Sequence, residues 1–214
     1  MDLPVLFIKS APYLIEAFSS TMKVCLTVQP ELIPKFLFLL QKGVTVRGNI
    51  GCSIRSFLCD QLGISPDYVE KRIQTCFLNG KAVDDIDKAI LESGARLSLS
   101  SALPGLLGAT LRKGGYYASL RSSISFMEGR IAGQVHEGNV ILKLYNLISK
   151  ELGPDILRKG VTVPARDVGV FFKEQPKDFW NRCRSVTVDG QEVSLNQLAS
   201  TSWKDDSLFF QLST

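Results

Sequence analysis

Two parts of the chain share one order of hydrophobic and polar positions. In residues 73–101, a run of alternating hydrophobic and polar residues leads into Asn79-Gly80. A polar bridge follows, and a second alternating run ends the segment. Residues 183–212 repeat this order around Asp189-Gly190. Alternation with a period of two predicts strands, and an Asx-Gly pair predicts a tight turn between them. Each part is therefore predicted to form a strand, a turn, a bridge and a closing strand.

The residues before the first of these parts predict a hairpin and a helix. Residues 23–29 and 44–47 alternate and are predicted to be strands of a hairpin, whereas the apolar run 36–40 fits either a strand or a helix. Residues 52–63 give the clearest helix, which Gly63 ends. Its apolar stripe, at i, i+3, i+4 and i+8, consists of Ile54, Phe57, Leu58 and Leu62.

The second half predicts the same order of elements. Residues 123–127 and 130–135 are expected to be strands, and residues 140–152 a helix that ends at Gly153-Pro154. Because hairpin, helix, strand, bridge and strand occur twice, we expect an α+β fold of two tandem β-grasp domains, each with a mixed sheet wrapped on one amphipathic helix.

A glycine-rich stretch separates the two copies and suggests the domain limits. Its leucines at positions 103, 106, 107 and 111 are too apolar for a free tail, so we expect them to be buried at the junction between the domains. The predicted organisation is an N-terminal extension (1–21), a first β-grasp domain (22–101), a Gly-rich linker (102–121) and a second β-grasp-like domain (122–214) with an insertion at 161–180.

Short motifs in the first half carry a family resemblance. They are Gly51, the helix 54–62, Phe77-Leu78-Asn79-Gly80-Lys81, Ser93-Gly94 and Leu97-Ser98-Leu99. With them, residues 23–115 resemble the sulfur-carrier proteins of thiamine and molybdopterin synthesis, and more broadly ubiquitin-like proteins. Residues 122–214 are then a possible second, divergent copy. The resemblance implies a β-grasp fold, a fold that serves many functions.

The resemblance also draws attention to Gly114-Gly115. In the carrier family the chemistry resides in a flexible C-terminal Gly-Gly tail, which can thread a narrow enzyme channel because it has no side chains. Here the Gly-Gly pair is internal, and residues 210–214 contain none. The pair is a possible carrier-tail motif only if the chain is cut after Gly115. The alternative is that it belongs to a linker.

Composition and motifs favour a non-enzymatic protein without a metal or cofactor. Of 214 residues, 45% are hydrophobic and 21% charged, as is usual for a globular protein. The five cysteines include no C-x-x-C pair, which favours buried thiols in a reducing compartment. The single histidine, His136, and the cluster Asp84, Asp85 and Asp87 are interpreted as surface groups. No phosphate-binding loop or hydrolase motif occurs.

The location expected from the sequence is the cytoplasm. The longest apolar run near the start, residues 36–40, is too short to span a bilayer, and the first residues lack the basic start of a secretory signal. We therefore expect no membrane association.

Two groups of residues suggest partners. The four aromatic residues of the insertion can contact another protein or pack against the neighbouring domain; they are Phe171, Phe172, Phe179 and Trp180. Basic residues that flank Tyr116 and Tyr117 suggest weaker contacts with RNA; they are Arg112, Lys113, Arg121 and Arg130. The net charge of +4 is small for a nucleic-acid binder.

The function expected from the sequence is therefore a protein-interaction or adaptor module, with another protein as its partner. A precursor of a sulfur carrier or ubiquitin-like modifier, processed after Gly115, is the first alternative. A weak RNA-binding module is the second.

Overall fold

The computed structural model describes residues 21–126, 134–201, 203 and 206–214. Within these residues the fold is α+β, with a mixed sheet. The contacts between residues define two compact units. Unit 1 contains Arg47–Val140, and unit 2 contains Ile141–Thr214 together with the described residues up to Val46.

The strands are ordered differently in the two units. Their bounds are β1 Lys23–Val28, β2 Val44–Ile50, β3 Thr75–Leu78, β4 Lys81–Ala82, β5 Ala95–Ser100, β6 His136–Leu144, β7 Val161–Pro164, β8 Cys183–Val188, β9 Gln191–Glu192 and β10 Ser207–Ser213. Strands β2 and β6 each contribute residues to both units. Unit 1 has the order β4-β3-β5-β6-β2, and unit 2 has β6-β2-β7-β10-β1-β8-β9.

Helices follow most strands. The α-helices are α1 Leu37–Lys42, α2 Ile54–Ser56, α3 Pro66–Lys71, α4 Gly105–Leu111, α5 Asn146–Lys159, α6 Ala165–Lys173, α7 Lys177–Asn181 and α8 Leu195–Ser200. Residues Pro30–Phe36 and Tyr116–Ile124 are 3-10 helical, and Phe57–Gln61 continues α2 as a π-helix.

The predicted first helix is confirmed, and it carries the core of unit 1. Its four stripe residues are buried, and the Ser53 hydroxyl accepts a hydrogen bond from the Ser56 backbone N–H at 3.2 Å. Gly63 follows the helix with a φ of 72°. The predicted turn is also present, with positive φ at Asn79 and Gly80, 51° and 82°.

The predicted hairpin of the first two strands was wrong. Strand β1 pairs in parallel with β10 and antiparallel with β8, both of which come from the far end of the chain. Val24, Leu26 and Val28 are fully buried on one face of β1. Alternation predicted that face correctly, but it carries no information about which strand lies beside it.

The helix predicted over 140–152 begins later than expected. Residues 140–144 end strand β6, where Val140, Leu142 and Leu144 are buried, and α5 begins at Asn146. This run fits both a period of two and a helical stripe, so the sequence pattern was ambiguous. Gly153-Pro154 lies inside α5 rather than after it. A Cβ on Gly153 would lie 2.6 Å from Leu37 Cδ2, so the glycine allows α5 to pack closely on α1.

The predicted linker and the elements beside it also differ from expectation. Residues 102–121 include α4 and most of the 3-10 helix Tyr116–Ile124, and they belong to unit 1. That 3-10 helix occupies part of the strand predicted over 123–127. The strand predicted over 130–135 lies mostly outside the described residues, as does the N-terminal extension. The insertion 161–180 forms β7, α6 and most of α7.

Candidate interaction surface

An exposed apolar surface covers α4 and the 3-10 helix that follows it in unit 1. Leu106 and Leu107 are 70% and 69% exposed, and Tyr116 and Leu120 are 91% and 72% exposed. The two helical segments pack against each other. Single exposed leucines are common, but such a group of large apolar side chains on neighbouring segments is typical of an interaction site. We call it the hairpin surface: Leu106, Leu107, Tyr116, Tyr117, Leu120 and Ile124.

The expectation that the leucines of this stretch are buried was wrong for Leu106 and Leu107. Gly108, not a leucine, occupies the inward face of α4, where a Cβ would lie 1.8 Å from the Leu103 carbonyl oxygen. Leu103 and Leu111 are half-buried. The sequence carried no local signal for this orientation, because it depends on Gly108 facing Leu103.

A buried arginine holds the two segments of this surface together. Arg121 is 4% exposed. Its Nε donates to the Thr110 carbonyl at 2.5 Å, its Nη1 to the Ser125 hydroxyl at 2.8 Å and its Nη2 to Asp84 Oδ1 at 2.6 Å. Asp84 lies just after β4, so this network connects α4, the 3-10 helix and the sheet edge. Hydrogen bonds to ionised groups are the strong ones in proteins, which makes this a rigid support for the hairpin surface.

Gly114 and Gly115 form part of the same support. Gly114 has a φ of 59°, and its N–H donates to Asp84 Oδ1 at 2.9 Å. The Gly115 N–H donates to the Arg112 carbonyl at 3.1 Å, and the Gly115 carbonyl accepts from Ala118 at 3.0 Å. The glycine pair therefore shapes the turn between α4 and the 3-10 helix, which is a role that requires a left-handed conformation.

The other basic residues near the surface are also held by intramolecular contacts. Arg112 Nε donates to Gln74 Oε1 at 2.8 Å. Lys113 Nζ lies 3.8 Å from Glu70 Oε2, and its side chain is largely buried. Arg130, the fourth of the basic residues predicted to contact RNA, lies outside the described residues. No aspartate or glutamate occurs between residues 93 and 127, but Asp84 and Glu70, from elsewhere in the chain, pair with Arg121 and Lys113.

The aromatic residues of the predicted partner contact build the interior of unit 2. Phe172 and Phe179 are buried, whereas Phe171 and Trp180 are half-buried. The ring centroids of Phe36 and Phe171 are 5.0 Å apart, and those of Phe179 and Trp180 are 5.2 Å apart. Phe172 and Phe179 therefore pack inside unit 2 itself, which is neither of the two possibilities that the sequence left open.

The acidic bridge after β4 is held by ordinary structural contacts. Asp85 accepts hydrogen bonds from the Asp87 and Lys88 backbone N–H groups, at 2.9 and 3.3 Å. The Lys88 side chain, with smaller effects from these N–H groups, lowers the pKa of Asp85. Asp87 pairs with Arg55 Nε at 2.6 Å. Among the described residues, no group of three His, Cys, Asp or Glu side chains is arranged to hold a metal ion.

The cysteines and the histidine do not form a nucleophilic pair in the described structure. All five cysteines are free thiols. Burial raises the pKa of Cys76 to about 12 and that of Cys183 to about 11, which keeps both protonated at neutral pH. Cys52 and Cys59 are half-buried, and burial raises their pKa as well. His136 is exposed, and its Nδ1 lies 2.9 Å from the Gln134 carbonyl oxygen.

No helix among the described residues is long and apolar enough to cross a membrane. In comparisons with known proteins, no family model, no curated protein and no solved structure matches the chain.

Proposed function

We propose that this chain is a non-enzymatic protein-interaction or adaptor module, and that a partner protein binds at the hairpin surface. The observation that carries the proposal is the exposure of six large apolar side chains on α4 and the 3-10 helix. Burying them against a partner removes apolar area from water, which favours association by about 25 cal/mol per Å². The tyrosines of the surface match the composition of interface centres, where aromatic residues are enriched and charges are rare.

The chemistry of the surface indicates what kind of protein binds there. Arg121 and Lys113 beside it are already paired within the fold, with Asp84 and Glu70, so the surface offers a partner mainly apolar area. A partner with an apolar centre is complementary to it. The support from Arg121 and Asp84 keeps the surface ordered before binding, which reduces the entropy lost on association.

Two divergent β-grasp domains and a cytoplasmic location complete the proposal. In unit 2, β1 and β10 pair in parallel and have antiparallel neighbours, so the sheet is mixed. Unit 1 contains both a sheet and the amphipathic helical segment 54–61. Both observations support β-grasp domains related to the ubiquitin-like proteins. The free thiols support a reducing compartment.

A partner-recovery experiment tests the role of the hairpin surface. The tagged chain, a Leu106→Asp/Leu107→Asp variant and a matched Val170→Asp control are expressed in cells of the source organism. Val170 is also an exposed helical apolar residue, but it lies in unit 2. We expect quantitative mass spectrometry to show a protein that the parent and the control recover and the double variant loses. Once purified, that protein must bind the parent directly, and it must bind the double variant at least tenfold more weakly.

Equal recovery with all three chains, while circular dichroism shows each of them folded, would contradict the proposal. Concentration-dependent dimerisation of the purified parent, lost in the double variant, would instead assign the surface to a second copy of the chain. A salt-dependent mobility shift with RNA would favour the RNA-binding alternative. The contacts that hold Arg112, Lys113 and Arg121 within the fold make that alternative less well supported.

A further inference from the structure

Unit 2 contains a groove that is independent of the hairpin surface. It lies between the helical segment that runs from Pro30 to α1 and the start of α5, and it has a volume of about 1000 Å³. This volume is at the upper end of the range of protein binding clefts, about 300–1,000 Å³. Most of its lining is apolar: Pro30, Ile33, Pro34, Leu37, Phe38, Leu147 and Pro154.

The polar part of the lining has a positive character. Among the described residues that line the groove, Lys150 is the only charged one and none carries a carboxylate; the other polar residues there are Gln41, Asn146 and Ser149. Ser149 is 1% exposed, and its hydroxyl has no hydrogen-bond partner within the described part of the chain. Because so little of Ser149 is exposed, the charge that a ligand meets in this lining is that of Lys150.

The start of α5 adds to this positive character. This helix of 14 residues has no acidic residue in its first turn, and Tyr145 provides no side-chain cap. The first backbone N–H groups of a helix point outward, and together with the macrodipole they favour a negative group nearby. Lys150 and the helix start therefore act in the same direction at one end of an otherwise apolar groove.

We propose that this groove binds an apolar helical segment of a partner protein that carries a carboxylate. Its apolar face lies on the prolines, Leu37, Phe38 and Leu147, in the manner of amphipathic helices that bind grooves between two helices. Its carboxylate lies beside Lys150 and the start of α5. The complementary charges fix the direction in which the segment lies and exclude basic segments.

A peptide selection tests this proposal with the purified chain alone. A phage library of random 12-residue peptides is panned against the full chain. We expect the enriched peptides to carry apolar residues at i, i+3 or i+4, and i+7, with an excess of aspartate or glutamate. A synthetic copy of the best peptide should bind at least tenfold more weakly to Leu147→Asp and to Lys150→Glu.

Both variants are suited to this test because they change exposed side chains in the first turns of α5. An aspartate at position 147 is favourable for the helix start, so loss of the fold is not expected. The matched control is Leu106→Asp in the hairpin surface, which should leave the affinity within twofold.

Three results would overturn the proposal. These are enrichment of basic peptides, the absence of any enriched sequence, and equal binding of the selected peptide to the parent and to Leu147→Asp. Binding that is lost only with Leu106→Asp would support the hairpin surface as a site and still overturn the groove. The two proposals therefore fail independently.

Discussion

The guanidinium of Arg121 donates a 2.6 Å hydrogen bond to Asp84 Oδ1 inside unit 1. Asp84 follows strand β4, whereas Arg121 belongs to the 3-10 helix Tyr116–Ile124, so 37 positions along the chain separate the two residues. The side chain of Arg121 is 3% exposed and that of Asp84 is 37% exposed. This pair thus connects the support of the hairpin surface to the sheet, and its removal leaves a buried cation without its carboxylate.

We predict that Asp84→Ala destabilises unit 1 by about 2–3 kcal/mol, because a charge-assisted hydrogen bond is lost and Arg121 stays buried. Urea unfolding measures the change in the free energy of unfolding. Amide hydrogen exchange of the variant, compared with the parent, should accelerate more in residues 105–124 than elsewhere in unit 1.

The control for this prediction is Asp67→Ala, which removes an exposed ion pair with Lys71 on α3. Exposed pairs contribute about 0–1 kcal/mol, so this variant should unfold close to the parent. If Asp84→Ala unfolds at the same urea concentration as Asp67→Ala, the buried pair does not support the surface.

Phe57 provides a test of the core of unit 1. It lies mid-stripe on the first helix and is fully buried. We predict that Phe57→Ala lowers the free energy of unfolding by about 3–5 kcal/mol, because the lost ring leaves a cavity. Tyr116→Ala removes a ring that is almost entirely exposed, and its unfolding should match the parent within about 0.5 kcal/mol. Similar melting of both variants would show that the helix does not carry the core.

Local structure was predicted well wherever one signal stood alone. The stripe Ile54, Phe57, Leu58 and Leu62 has no competing strand pattern, and the turn at Asn79-Gly80 depends only on two adjacent residues. Residues 140–144 carried two overlapping patterns, and there the predicted helix was displaced. Gly153 was predicted to follow the end of a helix, but it lies inside α5, where the absence of a side chain lets Leu37 pack close to the helix backbone. Such packing depends on a segment more than 100 positions away, which no local pattern reports.

Strand partners and the candidate surface depend on long-range relationships. Nothing in residues 23–28 indicates that β10 and β8 are the neighbours of β1. The internal Gly-Gly pair and the leucines beside it were recognised as unusual from the sequence. Their outward orientation could not be derived, because it depends on Gly108 facing Leu103 and on the contacts of Arg121. The groove beside α5 was not predicted, since its walls come from residues 30–41 and 146–154.

The Cys76 thiol is expected to make stability depend on alkaline pH. Burial raises its pKa from 9.0 to about 12, against a smaller opposite effect of Lys113. Between these two pH values the unfolded chain has lost the proton that the folded chain retains, so stability falls as pH rises. At pH 10.5 the loss from this thiol is about 2 kcal/mol.

A comparison of Cys76→Ala with the parent isolates this effect from the other alkaline titrations. The advantage of the parent over the variant should shrink by about 2 kcal/mol between pH 7.5 and pH 10.5 in urea unfolding. Val69 is buried and has no titrating group, so the difference in stability between the parent and Val69→Ala should not depend on pH. A difference for Cys76→Ala that is constant across this pH range would show that the thiol ionises equally in the folded and unfolded chain.

The last prediction is that the chain is not cut at Gly114-Gly115. A processing protease requires an extended and accessible segment, as in the tail of a sulfur carrier. Here the Lys113 N–H donates to the Gln74 carbonyl at 2.7 Å, and Gly114 donates to Asp84 at 2.9 Å. Cleavage would require these bonds and the turn at Gly115 to open first. The intact chain should therefore be the species found in cells, as its measured mass can show.

Replacement of both glycines by alanine tests whether the motif is a structural turn or a cleavage site. An alanine at position 114 must adopt a φ of 59°, and left-handed backbone costs a residue with a side chain about 1–2 kcal/mol. The double variant should thus unfold at lower urea concentration than Ser119→Ala, an exposed change in the same segment. Its length in cells should equal that of the parent. A fragment ending at Gly115 that the parent produces and the double variant does not would contradict a purely structural turn, and it would make the carrier or modifier precursor the better proposal for this protein.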